Sequence, residues 1–119
     1  MGDLSENFSR HEFTCKCGCG KDTVDTELLG ILEDVRGNFK APVTVNSGNR
    51  CIQYNLRVGG SDFSQHKLSK AADITVKGVE PIAVAAYLDA TYPDFYGIGI
   101  YKTFIHVDSR AGKSRWNDT

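Results

Sequence analysis

The apolar residues between positions 26 and 39 recur at helical spacing, which predicts an amphipathic helix with one face on a core. That face would carry Leu28, Ile31, Leu32, Val35 and Phe39, with Leu29 at its margin. Asp25 precedes this helix and can cap it, since an aspartate side chain accepts a hydrogen bond from a backbone N–H of the first turn. A second helix is predicted from Pro81 to Tyr92-Pro93, because proline fits the first turn of a helix. Its apolar positions are Ile82, Val84, Ala85, Tyr87 and Leu88.

Apolar runs, several of them alternating with polar residues, predict four strands. They lie in PVTVNSG from Pro42, AADITV from Ala71, YGIGIY from Tyr96 and TFIHVDSR from Thr103, with a tight turn near Lys102 and Thr103. The segment CIQYNLRVGG, from Cys51, predicts a short helix that ends at a glycine pair. Helices on one side of a small, mostly antiparallel sheet make an α+β fold.

Length and charge narrow the classes of partner. The 119 residues suit one domain, 1–119, with a hydrophobic core. Fourteen basic against fifteen acidic residues give a net charge of −1, which argues against nucleic acid or a membrane surface as partner. No apolar run approaches the roughly 20 residues of a membrane span. The first ten residues also lack the pattern of a signal peptide, so we expect a chain made in the cytoplasm. We also expect a monomer.

The four cysteines are unevenly placed, with three in FTCKCGCGK and one in NRCIQ. They are Cys15, Cys17, Cys19 and Cys51. The tight C-x-C-x-C spacing suits one disulfide, or several thiolates around a structural metal ion with Cys51 as a fourth donor. Reduced thiols or a small zinc knuckle are favoured over disulfides, because the cytosol keeps thiols reduced. Both interpretations are structural, and neither assigns the cysteines to catalysis.

The candidate chemistry lies in SQHKLSKAAD and FIHVD, which place two histidines and an aspartate near strand ends. A zinc site that acts on substrates takes three protein ligands and keeps one position open. His66, Asp73 and His106 could supply these ligands. The spacing alone matches no zinc motif and fits equally a loop histidine, an edge-strand carboxylate and a histidine packed between Ile105 and Val107. Pattern by itself favours this structural interpretation.

Longer motifs change this balance. SGNRC, VGGSDFSQHKLSKAADI and GIGIYKTFIHVDSR, in this order and spacing, resemble the M15 family of zinc peptidases. That family includes D-alanyl-D-alanine carboxypeptidases and bacteriophage endolysins that cut peptidoglycan peptides. The resemblance spans nearly the whole chain and implies a fold like that of the DD-peptidases and the Hedgehog signalling domain. It also implies that His66, Asp73 and His106 bind one catalytic Zn²⁺ ion.

The resemblance assigns roles to neighbouring residues as well. Arg50, after the S-G turn, matches an arginine that can hold a substrate carboxylate or carbonyl. Ser64 and Gln65 lie beside the zinc histidine, where they could bind the substrate backbone. Two positions depart from the family, since Ser69 replaces its usual glycine and Thr103 stands where several branches have a catalytic Glu or Asp.

Asp108 is the preferred candidate for the catalytic base that Thr103 cannot supply. It follows His106 by two residues in a predicted strand and therefore faces the same way. Its competing role is to accept the N–H of a zinc-binding histidine and so fix the tautomer of the ring. Trp116, near the end of the chain, either lines the cleft or covers the sheet, and packing is favoured.

The function that the resemblance implies is zinc-dependent hydrolysis of peptidoglycan stem peptides, of the D-Ala-D-Ala carboxypeptidase or murein endopeptidase type. The alternative is a catalytically inactive zinc-binding module that recognises cell-wall peptides, as the Hedgehog signalling domain resembles these peptidases and Thr103 is not a base. A lytic peptidase without a signal peptide suits a phage or prophage lysin, or a tail-associated enzyme, that acts at the cell wall.

Overall fold

The computed structural model describes residues 4–15, 24–48 and 70–118. The elements in these ranges are a 3₁₀ helix (Arg10–Phe13), α1 (Thr26–Phe39), β1 (Val43–Ser47), β2 (Ala71–Val76), α2 (Pro81–Thr91), β3 (Gly97–Tyr101), β4 (Ile105–Asp108) and β5 (Ser114–Asp118). The described strands form one sheet in the order β1-β2-β4-β3-β5, antiparallel except for the parallel pair β3 and β5. The predicted α+β fold is confirmed, whereas the short helix predicted from Cys51 lies outside the described residues.

One face of the sheet packs against α1 and α2 to form the core. The strands contribute Ala72, Ile74, Val76, Ile98, Ile105 and Val107 to it, and α1 contributes Leu28, Leu29, Ile31, Leu32 and Val35. Asp25 caps α1 as predicted, since its Oδ2 atom accepts a 3.2 Å hydrogen bond from the backbone N–H of Leu28. The same oxygen accepts a 2.7 Å hydrogen bond from the hydroxyl of Ser109, which ties the start of α1 to the chain just after β4.

The second helix differs from its prediction in one residue. Pro81 lies in its first turn, and Val84, Ala85 and Leu88 are buried against the sheet. Ile82, however, is 60% exposed, because two helical residues turn through about 200° and carry it away from Val84. No helix in the described ranges is long and apolar enough to cross a lipid bilayer.

The hydrophobic pattern does not predict β5, because SRWND contains a single apolar residue. Side-chain hydrogen bonds hold this strand instead. The Arg115 guanidinium donates to Asp89 Oδ1 at 2.8 Å and to the backbone carbonyl oxygens of Tyr92 at 2.7 Å and Tyr96 at 2.6 Å. Such contacts join residues distant in sequence, and a local pattern of apolar residues does not record them.

Asp34 on α1 ties this helix to α2 and to the residue that ends it. Its two carboxylate oxygens accept hydrogen bonds from the hydroxyls of Tyr87 at 2.7 Å and Tyr92 at 2.8 Å. Asp34→Ala should lower the free energy of unfolding by about 1–3 kcal/mol, because both hydroxyls lose a charged acceptor. Urea denaturation would measure the loss. The control is Asp94→Ala at an exposed position, expected to change it by less than about 0.5 kcal/mol; equal losses would contradict this role for Asp34.

The tyrosines predict a loss of stability at alkaline pH. The hydrogen bond to Glu27, together with burial, raises the pKa of Tyr96 to about 12. Burial and the Asp34 carboxylate raise the pKa of Tyr92 as well. Both hydroxyls ionise near pH 10 in the unfolded chain but stay protonated in the folded chain, so the free energy of unfolding should fall as the pH rises from about 10 to 12.

Urea denaturation at several pH values above 9 would test this alkaline loss. The double variant Tyr92→Phe and Tyr96→Phe removes both hydroxyls, so its stability should depend less steeply on pH over the same range. Parallel profiles for the wild type and this variant would contradict the assignment.

Candidate active site

Strands β2 and β4 bring three ionisable side chains together on the sheet face away from the helices. Asp73 is the register partner of His106 across the antiparallel pair, and Asp108 follows His106 by two residues. The Nδ1 atom of His106 lies 3.1 Å from Asp73 Oδ1, and its Nε2 atom lies 2.8 Å from Asp108 Oδ2. All three residues are buried. The predicted placement of His106 and Asp108 on one strand face brings these two residues into contact, and the register of β2 against β4 adds Asp73.

Two glycines on β3 make room for the site. A Cβ atom at Gly97 would overlap the carboxylate of Asp108, and one at Gly99 would overlap the indole of Trp116. The backbone N–H of Gly97 also donates a 3.0 Å hydrogen bond to Asp108 Oδ1. The alternation of glycine in GIGIY therefore leaves the site face of β3 open to side chains from β4 and β5.

Asp108 is fully buried, and both of its oxygens are engaged. Oδ1 accepts hydrogen bonds from Gly97 and from Arg110 Nε at 2.7 Å, while Oδ2 accepts one from Arg110 Nη2 at 2.7 Å beside its contact with His106. Burial raises the pKa of Asp108, but the hydrogen bonds from His106 and Arg110 outweigh it and hold this pKa well below its usual range. Asp108 is therefore an ionised carboxylate that faces its partners in the protein.

The Asp108 carboxylate determines which nitrogen of His106 keeps its proton when the ring is neutral. An ionised carboxylate only accepts hydrogen bonds, so Nε2 of His106 carries a proton and donates to Asp108, while Nδ1 donates to Asp73 only when the ring is protonated. Burial lowers the pKa of His106, but its hydrogen bonds with Asp108 and Asp73 outweigh burial and leave the pKa above its usual value. When the ring is neutral, the lone pair of Nδ1 points toward Asp73, as in histidines that bind metals and donate their other N–H to a carboxylate.

The pair formed by Asp73 and His106 fits two ligands of a tetrahedral zinc ion. Zinc binds histidine nitrogen and carboxylate oxygen at about 2.0–2.2 Å, so two such ligands lie about 3.4 Å apart. The observed separation of 3.1 Å between His106 Nδ1 and Asp73 Oδ1 is close to this value. No cluster of three or more metal-binding side chains occurs within the described residues, and the third predicted ligand, His66, lies outside them.

Other predicted residues are only partly covered by the described ranges. Arg50, Ser64, Gln65, Cys17, Cys19 and Cys51 lie outside them, so their roles stay predictions. Cys15 is buried, with 2% of its surface exposed. Thr103 is exposed in the turn between β3 and β4.

Arg110 and Trp116 extend the site; Arg110 is not among the predicted residues, whereas Trp116 is predicted either to line the cleft or to cover the sheet. The ring centroids of Trp116 and His106 are 5.1 Å apart, and the guanidinium carbon of Arg110 lies 5.5 Å from the centre of the Trp116 ring. Trp116 packs over Gly99, but it also borders the site, which the packing interpretation leaves out. The two-residue spacing from His106 through Asp108 to Arg110 is the sequence signal for the arginine. The place of Trp116 beside His106 depends on β5, a strand that the hydrophobic pattern does not predict.

A buried carboxylate beside a histidine whose other nitrogen is held by a second carboxylate is typical of metal-dependent hydrolases. A family model described as peptidase M15 matches residues 6–108. The chain therefore belongs to the peptidase M15 family, as its motifs predict, and this membership supports peptidase activity. M15 peptidases are generally zinc-dependent, in keeping with the fit of Asp73 and His106 to zinc. No curated protein matches the chain.

Proposed function

We propose that the protein is a zinc-dependent hydrolase of peptide bonds in peptidoglycan, of the D-Ala-D-Ala carboxypeptidase or murein endopeptidase type. The observation that carries this proposal is the pair of donor atoms on Asp73 and His106, 3.1 Å apart on neighbouring strands. Family membership supports the peptidase, and the resemblance of the motifs to those of wall-cutting members supports stem peptides as the substrate.

Asp73, His106 and His66 would hold the zinc ion. Zinc at this position would supply Lewis acidity toward the scissile carbonyl and lower the pKa of a water molecule from about 15.7 toward 7. Asp73 contributes a negative charge that favours cation binding. His106 would bind the zinc ion through Nδ1, because its Nε2 is hydrogen-bonded to Asp108. Arg50 would hold a substrate carboxylate through two hydrogen bonds.

Asp108 acts in this proposal as a positioning residue. A group that moves protons during catalysis needs an oxygen within reach of the substrate or of the attacking water. Both Asp108 oxygens instead face His106, Arg110 and Gly97, and the side chain is 0% exposed. This geometry favours the second of its two predicted roles, in which it holds the His106 ring.

A second candidate function is a zinc-binding module that recognises cell-wall peptides without cutting them. The observation that favours it concerns the proton carrier. Thr103 occupies the position of the acidic base in several branches of the family and is exposed, while Asp108 is engaged on both oxygens. A module of this kind would keep the zinc ligands and the substrate site.

Mass spectrometry of muropeptides before and after incubation separates the two functions. A carboxypeptidase would release free D-alanine from stem peptides, and an endopeptidase would split cross-linked dimers into monomers. A chelator should abolish either product, and added Zn²⁺ should restore it. Sedimentation of the protein with peptidoglycan and no new product would support the binding module, whereas neither binding nor cleavage would contradict both functions.

The proposal extends to partners and setting. Stem peptides of peptidoglycan are the partners that it names, without nucleic acid or membrane, and it treats the protein as a monomer. Action at the cell wall, as a phage or prophage lysin or a tail-associated enzyme, agrees with this substrate. Digestion of purified cell walls, followed as a fall in turbidity, would test the setting directly.

A further inference from the structure

The geometry points to Trp116 as a specificity-determining residue, whose indole lies beside His106 and is held there by Tyr101 as part of a fixed aromatic wall. This wall admits only a small side chain, such as the methyl group of alanine, next to the scissile bond. The inference rests on the proposed peptide substrate and adds a residue that selects it. We call the Trp116 and Tyr101 side chains the aromatic wall.

The position of the indole supplies the first argument. The centroid of the Trp116 ring lies 5.1 Å from that of His106, so a peptide bound beside His106 would meet the indole. The indole occupies the space above β3 that a side chain at position 99 would fill, since a Cβ atom on Gly99 would overlap it. On this side of His106, the wall therefore limits the volume open to the substrate.

The contacts of the wall supply the second argument, because they hold it in place. Trp116 Nε1 donates a 2.9 Å hydrogen bond to the hydroxyl of Tyr101. The Tyr101 ring stacks on Phe104, with 4.5 Å between centroids and 5° between planes. Arg110, which two hydrogen bonds of 2.7 Å fix to Asp108, lies over the Trp116 ring. The indole cannot move away from His106 without breaking some of these contacts.

A wall that cannot retreat selects by size. A single methylene group in an apolar pocket changes kcat/KM by about 10- to 200-fold. In this inference a methyl side chain fits beside the indole, and a branched or longer one is disfavoured. Such selection suits peptidoglycan stem peptides that carry alanine beside the scissile bond.

Trp116→Ala removes the wall and tests this selection. Two series of synthetic stem peptides would carry either D-Ala or D-Leu, one series before and one after the scissile bond. The preference of the wild type for D-Ala over D-Leu, as a ratio of kcat/KM, should fall at least about tenfold in Trp116→Ala in one series. Trp116→Phe leaves a smaller ring, so its preference for D-Ala should lie between those of the wild type and Trp116→Ala. Phe95→Ala, which removes an exposed aromatic ring away from the site, should keep the wild-type ratio of kcat/KM for D-Ala over D-Leu.

A second measurement needs no turnover, because Trp116 is the only tryptophan in the chain. Addition of a D-Ala peptide to the zinc-loaded protein should change the tryptophan emission, and a D-Leu peptide should do so only at least about tenfold higher concentration. Tyr101→Phe, which keeps the indole but removes its hydrogen-bond acceptor, should weaken this preference.

These two measurements distinguish failure of the inference from failure of the proposed function. Emission changes with the expected preference, but without cleavage, would reject the hydrolase and keep the wall as part of a binding site. If Trp116→Ala lowered kcat/KM equally for the D-Ala and D-Leu peptides, at unchanged zinc content and circular dichroism, the inference would be overturned while the hydrolase stands. A wild type that shows no preference for D-Ala in either measurement would overturn it as well.

Discussion

Asp73→Asn is expected to abolish both the binding of the catalytic zinc ion and peptidase activity while the fold is retained. The amide has nearly the same shape as the carboxylate, so β2 can keep its register with β4. It lacks the negative charge that makes Asp73 a zinc ligand, and its oxygen binds a divalent cation more weakly. Elemental analysis after dialysis should show the catalytic zinc, about one ion per chain, lost in the variant. Circular dichroism should be unchanged.

Asp94→Asn is the matched control, because it makes the same chemical change at an exposed carboxylate in the described part of the chain. It should keep the zinc content and the activity of the wild type. A zinc content in Asp73→Asn equal to that of the wild type would show that Asp73 is not a ligand. Loss of the fold together with the metal would instead indicate that the pair of Asp73 and His106 serves mainly to hold β2 against β4.

The predicted cysteine site makes the same measurement more informative. A structural zinc ion on Cys15, Cys17, Cys19 and Cys51 would remain bound when Asp73 is replaced. A wild type with about two zinc ions and an Asp73→Asn variant with about one would support both predicted sites. Zinc lost only on replacement of the cysteines, and never on replacement of Asp73, would contradict the catalytic site.

Local patterns in the sequence predict much of this fold, because each depends on residues close together in the chain. Helical spacing and the cap by Asp25 place α1, and alternation in IHVD places His106 and Asp108 on one face. The contact between Asp73 and His106 is of another kind. It depends on the register of β2 against β4, two strands separated by about thirty residues, and alternation along one strand does not set that register.

The parts that the sequence does not predict depend on contacts at long range. β5 is held by the side chain of Arg115, which reaches α2 and the residues that follow it. The place of Trp116 beside His106 follows from the parallel pairing of β5 with β3 and from the missing side chain of Gly99. Neither leaves a periodic signal, so the sequence leaves cleft lining and packing as alternatives for Trp116, and its place beside His106 comes from the structure.

Asp108→Asn should separate the two roles of this carboxylate. In the positioning role, the amide accepts a weaker hydrogen bond from His106, and zinc affinity should fall about 10- to 100-fold. Saturating zinc should then restore most of kcat. A catalytic base would behave in the opposite way, because its loss lowers kcat by about 10²- to 10⁴-fold and leaves zinc affinity unchanged. Competition with a chelator of known affinity, together with kcat at saturating zinc, measures both quantities.

Arg110 offers an independent test, since it touches Asp108 but lies one step further from the metal ligands. Its two hydrogen bonds of 2.7 Å hold the Asp108 carboxylate in the orientation that meets His106. Arg110→Gln should therefore lower zinc affinity in the same direction as Asp108→Asn. Arg110→Lys keeps the charge without the paired donors, so its zinc affinity should lie between those of the wild type and Arg110→Gln. Arg36→Gln, on α1 and thus on the other side of the sheet, is the control and should leave zinc affinity unchanged.

The double variant, Asp108→Asn with Arg110→Gln, completes the argument. If Arg110 acts only through Asp108, its replacement should change zinc affinity little once Asp108 is already an asparagine. If the losses of zinc affinity in the two single variants add in full, Arg110 affects the site by a separate route, such as its contact with the Trp116 ring. A fall in kcat with Asp108→Asn that saturating zinc does not restore, and no effect of Arg110→Gln, would return Asp108 to the role of catalytic base.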